Sequence, residues 1–85
     1  MFQVKFKASA GKRFFKLPVD IQKRIVAKLE FYLRQPNPLD FAEMLTNYRI
    51  GKYRFRIGDY RIVFDVEESL IIMILDVDHR KDIYK

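Results

Sequence analysis

The stretch Tyr53–Phe64, Tyr-Arg-Phe-Arg-Ile-Gly-Asp-Tyr-Arg-Ile-Val-Phe, restricts the possible folds more than any other part of the chain. Two runs that alternate apolar and polar residues flank the pair Gly58-Asp59, which predicts two antiparallel strands joined by a two-residue turn. Glycine at the first central position suits a type II′ turn, because it takes a positive φ without a Cβ clash. Such a turn sets Ile57 opposite Tyr60 and Arg56 opposite Arg61. Successive side chains alternate across a strand, so Tyr53, Phe55, Ile57, Tyr60, Ile62 and Phe64 fall on one face. Arg54, Arg56 and Arg61 fall on the other.

Like charges placed opposite each other weaken a hairpin, so three arginines on adjacent strands call for an anion. A solvated face chosen for solubility and edge protection is the plainer explanation. Against it, each of the three polar positions nearest the turn is arginine. The planar guanidinium matches phosphate oxygens in pairs, which an ammonium does less well.

Composition narrows the alternatives. At 85 residues, with 49% hydrophobic and 15% aromatic residues, the chain has room for one domain spanning 1–85 and one core. The absence of cysteine excludes disulfides, thiolate metal sites and thiol nucleophiles. One histidine, His79, excludes a histidine-rich metal cluster, and no zinc or calcium-loop spacing is present, so no metal or cofactor is expected. The first residues lack the apolar core of a signal peptide, and no apolar run is long enough to cross a bilayer. A cytoplasmic protein without a membrane partner is the expectation. The net charge of +6, from 17 Lys+Arg against 11 Asp+Glu, favours nucleic acid or an acidic protein partner.

In chain order, Phe2–Lys7 alternates as a half-buried strand. Ser9 is placed to cap a short helix running to Lys16, interrupted by Gly11. Pro18 suits the first turn of a second helix, whose apolar stripe is Ile21, Ile25, Val26, Leu29, Tyr32 and Leu33. That helix must end by Gln35, ahead of Pro36 and Pro38. The segment from Pro36 to Gly51 is irregular, with a helical turn expected around Phe41–Leu45. After the hairpin, Glu67-Glu68-Ser69 is a polar turn. Leu70–Val77 is nearly all apolar, as in a strand buried on both faces. The predicted order is β-α-α-β-β-β: an α+β domain with a helical hairpin on an antiparallel four-stranded sheet.

No paired carboxylates, phosphate-binding glycine loop or serine triad can be assembled. What remains is basic and aromatic: Arg54, Arg56 and Arg61 from the hairpin, with His79, Arg80 and Tyr84 from the C-terminus. The last strand returns beside Tyr60–Val66, which brings its end near the hairpin. Such a set can grip phosphate, stack a base and stabilise charge at phosphorus. Each member has a plainer explanation. His79, with an unperturbed pKa near ~6.5, is suited to proton transfer or else caps the strand end. Tyr84 stacks on a base or anchors the C-terminus, and Arg80 meets substrate or pairs with Asp78 or Asp82.

The hairpin, together with the ending Asp-His-Arg-Lys-Asp-Ile-Tyr, resembles the RelE/ParE superfamily of bacterial and archaeal toxins over essentially the whole chain. The resemblance implies a toxin of a type II toxin–antitoxin system with a microbial-ribonuclease-like fold. RelE-type members cut mRNA in the ribosomal A site without metal, by attack of a ribose 2′-hydroxyl on the adjacent phosphate. Carried over by position, Arg54 and Arg56 hold phosphate; Lys52 and Lys81, neighbouring basic residues, are expected as further phosphate contacts. Arg61 stabilises the transition state, Arg80 lies near the leaving 5′-oxygen, and Tyr84 orients the nucleotide. Arginine stands where some relatives carry lysine. Because it stays protonated, Arg54 and Arg56 suit electrostatic roles and not general-base work.

Three functions compete on this basis. The first is a ribosome-dependent endoribonuclease that inhibits translation. The second is a ParE-like inhibitor of DNA gyrase that cuts no RNA. The third is a degenerate module that only binds its antitoxin. All three imply an acidic or amphipathic antitoxin segment and a toxin–antitoxin hetero-oligomer. Arg61→Ala and Arg80→Ala are expected to lose activity without unfolding, since neither lies on the apolar face.

Overall fold

The computed structural model describes residues 2–46, 51–68 and 70–79. The hairpin forms as its pattern dictates: β3 (Tyr53–Ile57) and β4 (Tyr60–Glu67) pair antiparallel with Ile57 opposite Tyr60 and Arg56 opposite Arg61. Gly58 takes φ +60° while Asp59 stays at negative φ, as a type II′ turn requires. β5 (Ile71–His79) returns antiparallel to β4 after a turn in which Glu68 adopts φ +51°. Ser69 lies outside the described residues.

Two helices cover one side of this sheet. α1 (Ala8–Phe15) follows β1 (Gln3–Phe6) directly, and α2 (Val19–Leu33) begins after Pro18. The N-cap of α1 is Lys7, which makes no side-chain cap, so Ser9 sits inside the first turn and does not cap it. Proline at the entry of α2 and Pro36 beyond its end bracket it as expected. Gln22 of α2 donates to the carbonyls of Leu17 (2.8 Å) and Phe15 (3.2 Å), satisfying acceptors left over where α1 stops.

The α+β class and the predicted order hold, and the sheet has a strand more than predicted. A short 3₁₀ turn (Pro38–Phe41) leads into β2 (Glu43–Met44), where a helical turn was expected. The strand order is β1-β5-β4-β3-β2, and β1 pairs β5 in parallel, so the sheet is mixed and five-stranded. The parallel pairing follows from the two helices, which carry the chain back across one face before the hairpin begins.

The core lies between helices and sheet. Ala10, Phe14, Ile25, Leu29 and Tyr32 pack on Phe55, Ile57, Ile62, Phe64, Ile72, Ile74 and Val77. Through it runs a stack of five rings. Phe41 meets Tyr32 at 5.0 Å, Tyr32 meets Phe55 at 4.6 Å, Phe55 meets Phe64 at 4.5 Å, and Phe64 meets Tyr53 at 5.5 Å. These offset contacts join the 3₁₀ turn, α2 and the hairpin into one unit. Burial raises the Tyr32 phenol above its ordinary value, so it stays neutral. Val26, expected in the core stripe, instead faces outward.

β5 is not buried on both faces. Ile72, Ile74 and Val77 are buried, whereas Ile71, Met73 and Leu75 are only partly covered. A bulge opposite Val63–Phe64 places Leu75 as the extra residue. On the side away from the helices, Gly51 presses onto this bulge. A Cβ there would stand 2.9 Å from Val63 Cγ1 and 3.1 Å from the Phe64 carbonyl oxygen.

Two stability predictions follow from this packing. Gly51→Ala should cost about 1–3 kcal/mol in urea unfolding, since the clash is partly with backbone; an unchanged midpoint would mean the segment is not seated on the sheet. Phe55→Ala should cost about 3–5 kcal/mol, whereas Arg56→Ala, the next residue along the strand but on the opposite face, should stay within about 0.5 kcal/mol. Equal losses would overturn the division of the sheet into two faces.

Candidate functional site

The pleat that sends the aromatic rings to the helices sends Arg54, Arg56 and Arg61 to the open face of the sheet. Their surroundings differ from those of a solvated arginine stripe. β2 is two residues long and places Glu43 directly opposite Arg54. One oxygen of Glu43, Oε2, accepts from Arg54 Nη2 (2.8 Å) and Nε (3.1 Å). The other, Oε1, accepts from Arg56 Nη1 at 3.3 Å. A single carboxylate thus engages both guanidinium groups. The Arg54 hydrogen bonds hold the Glu43 carboxyl below its ordinary range; desolvation opposes them, and the charge of Arg54 and the contact with Arg56 add to the lowering. The contribution of Glu43 to stability is complete above the ordinary glutamate range and fades as pH falls through the lowered value.

Arg61 lies on the expected face but is only 2% exposed. It stands between Arg56 on β3 and Asp78 on β5, and its Nη1 donates to the Tyr60 carbonyl at 3.3 Å. A buried guanidinium next to a carboxylate-bearing strand has a structural role, so Arg61→Ala is not expected to leave the fold untouched. This corrects the expectation drawn from face alone. The accessible cations are Arg56, with its side chain 53% exposed, and Arg54 at 17%. Lys52 is exposed two residues ahead of Arg54, and its backbone N–H donates to Asp65 Oδ1 at 2.7 Å.

The edge of β5 beyond β1 is taken by α1. Arg13 Nη1 donates to Asp76 Oδ1 at 2.9 Å, and Nη2 reaches Asp78 Oδ2. Asp78, an expected partner of Arg80, is engaged by Arg13 of a helix 65 positions away in sequence, while Arg80 lies outside the described residues. The sequence carries no signal for that pairing.

His79 does not join the arginines. It pairs with Tyr60 at the end of β5, and its ring meets the Tyr60 ring edge-on at 5.2 Å. Tyr60 packs on the core, so His79 shares the helix-bearing face and the sheet separates it from Arg54, Arg56 and Arg61. Past the bulge at Leu75 the buried Val77 and His79 share a face, whereas unbroken alternation from Ile72 and Ile74 would have put His79 on the other. Arg80, Lys81 and Tyr84 lie outside the described residues. Glu43, by contrast, was missed, because an acidic residue in an irregular segment has no pattern to mark it.

Two further features bear on partners. Between α1 and α2 an apolar groove of about 670 Å³ is lined by Phe6, Phe14, Phe15, Val19, Val26 and Ala27. Phe15 is 73% exposed and Val19 63%, so this is a large uncovered apolar surface for so small a chain. Among the described residues, no group of three or more His, Asp or Glu is placed to hold a metal ion, and no helix is long and apolar enough to cross a membrane.

Residues 4–84 match the family model described as the ParE toxin of the type II toxin–antitoxin system parDE. The toxin RelG of Mycobacterium tuberculosis is 32% identical over 85 residues, covering 99% of this chain and 97% of that protein. Among solved structures, the RelBE2 toxin–antitoxin complex of the same organism superposes with a TM-score of 0.74 at 29% identity, over 93% of this chain and 98% of the other. The RelB–RelE complex of Methanococcus jannaschii gives 0.70 at 30% identity over 94% of each chain, and that of Pyrococcus horikoshii 0.70 at 26% over 93% and 94%. The chain therefore belongs to the RelE/ParE superfamily and is a toxin of the type II toxin–antitoxin class.

Proposed function

We propose that this toxin is a RelE-like endoribonuclease that binds mRNA phosphate on the open face of its sheet and inhibits translation at the ribosomal A site. The observation that carries the reading is the Arg54–Arg56 pair, two guanidinium groups on one strand and one face, both already turned towards a single anion. Planar donors fixed in this way fit the non-bridging oxygens of a phosphodiester. Arg61, buried behind them, adds positive potential in a region of low dielectric, where a charge acts more strongly than in water.

In this reading the attacking 2′-hydroxyl and the scissile phosphate come from RNA, and the protein supplies position and charge. Lys52 extends the basic face at its β3 entry. Arg80 and Tyr84 are assigned to the leaving oxygen and the base through the family resemblance, and Lys81, next to Arg80 in sequence, to a flanking phosphate. His79, set on the other face, would serve proton transfer only by reaching round the end of the sheet. The family model's ParE description supports a second reading, in which the toxin binds DNA gyrase and cuts no RNA.

The similar RelB–RelE structures are toxin–antitoxin complexes, which supports a cognate antitoxin as partner; a cytoplasmic location is part of the proposal. The apolar groove between α1 and α2 suits one face of an amphipathic antitoxin helix, with the toxin's positive charge favouring an acidic one.

Primer extension on a defined mRNA in a translating extract tests this proposal. Wild-type toxin should give codon-phased cuts that need ribosomes, and Arg56→Ala and Arg80→Ala should each reduce them by at least about tenfold. His79→Gln should reduce them far less. Intact mRNA together with inhibited supercoiling by gyrase would overturn the ribonuclease reading in favour of the second.

A further inference from the structure

The Arg54–Glu43–Arg56 contact has a consequence for how substrate is selected. The carboxylate spends one oxygen on each arginine, the arrangement two non-bridging phosphate oxygens would adopt. Among its described pairings, β2 consists of Glu43 opposite Arg54 and Met44 opposite Tyr53, so this strand's chief effect is to deliver that carboxylate to the arginines. Its side chain is 42% exposed and borders solvent, so it can swing away without opening the core.

Building on the phosphate-binding reading above, we propose that Glu43 is a built-in counter-anion that a substrate phosphate must displace from Arg54 and Arg56. It is a specificity-determining residue, since it sets how much phosphate density the face requires before it binds. Without substrate, Glu43 offsets the repulsion between Arg54, Arg56 and Arg61. With substrate, the phosphate takes over that role and the carboxylate turns to solvent. An isolated phosphate gains little from this exchange, because one anion replaces another. A backbone presenting several phosphates at once gains more, since its flanking charges also reach Lys52 and the rest of the basic face. The toxin is thereby kept from binding stray RNA tightly.

The test is fluorescence anisotropy with a 2′-O-methyl RNA oligonucleotide, which binds without being cut. Glu43→Gln keeps the size and a hydrogen-bond acceptor but removes the charge. It should bind about 3–30-fold more tightly than wild type, with a steeper salt dependence by about 0.7 in the log–log slope, one additional phosphate contact on a single strand. Combining it with Arg56→Ala should remove most of the gain. Glu30→Gln, which changes net charge equally but lies on α2, should gain far less. Unchanged or weaker binding by Glu43→Gln, or an equal gain from Glu30→Gln, would overturn the counter-anion role while leaving the phosphate-binding reading in place. No binding by either wild type or Glu43→Gln would overturn both.

Discussion

The stack of rings from Phe41 through Tyr32, Phe55 and Phe64 to Tyr53 is the contact on which the rest of this structure depends. It ties the 3₁₀ turn, α2 and both hairpin strands together, and it settles which face of the hairpin is inside. A strand has a side-chain period of two, so a slip of one residue would bury Arg54 and Arg56 and expose Phe55. Large rings that fit only on the helix side make that slip costly. The same packing that stabilises the core therefore displays the arginines.

Displaying them creates an electrostatic difficulty that the fold answers locally. Three guanidinium groups on paired strands repel, and the structure sets carboxylates among them: Glu43 against Arg54 and Arg56, and Asp78 across from Arg61. Arg13 then engages Asp76 and Asp78 from α1, closing the stretch of β5 edge that β1 leaves open. The hairpin arginines thus form a balanced network in which Arg56 is well exposed, and not an uncompensated patch. Its strength as a phosphate site depends on how readily the Glu43 contact yields.

Much of this was legible in the residues. The hairpin, its turn type and its two faces follow from strict alternation around Gly58, and the helices follow from their apolar spacing and bracketing prolines. The parallel β1–β5 pairing was not legible, because strand partners far apart in sequence leave no local pattern. β2 was missed for a related reason: two residues carry no periodicity, and only their pairing with Tyr53 and Arg54 makes them a strand. Burial of Arg61 and the pairing of Arg13 with Asp76 and Asp78 are likewise products of tertiary packing. The position of His79 opposite Tyr60 depends on the bulge at Leu75, and it separates the histidine from the arginines with which composition had grouped it.

The central claim is that phosphate binds the helix-free face of the sheet, at Arg54 and Arg56. The most direct test is NMR of the isotopically labelled toxin, following the arginine Nε–H signals during titration with a non-cleavable 2′-O-methyl RNA oligonucleotide. The account predicts the largest shifts at Arg54 and Arg56, accompanied by the Glu43 carboxyl carbon as its contact is lost. Shifts confined to the α1–α2 groove, at Val19 and Val26, or to the Tyr60–His79 pair would contradict it.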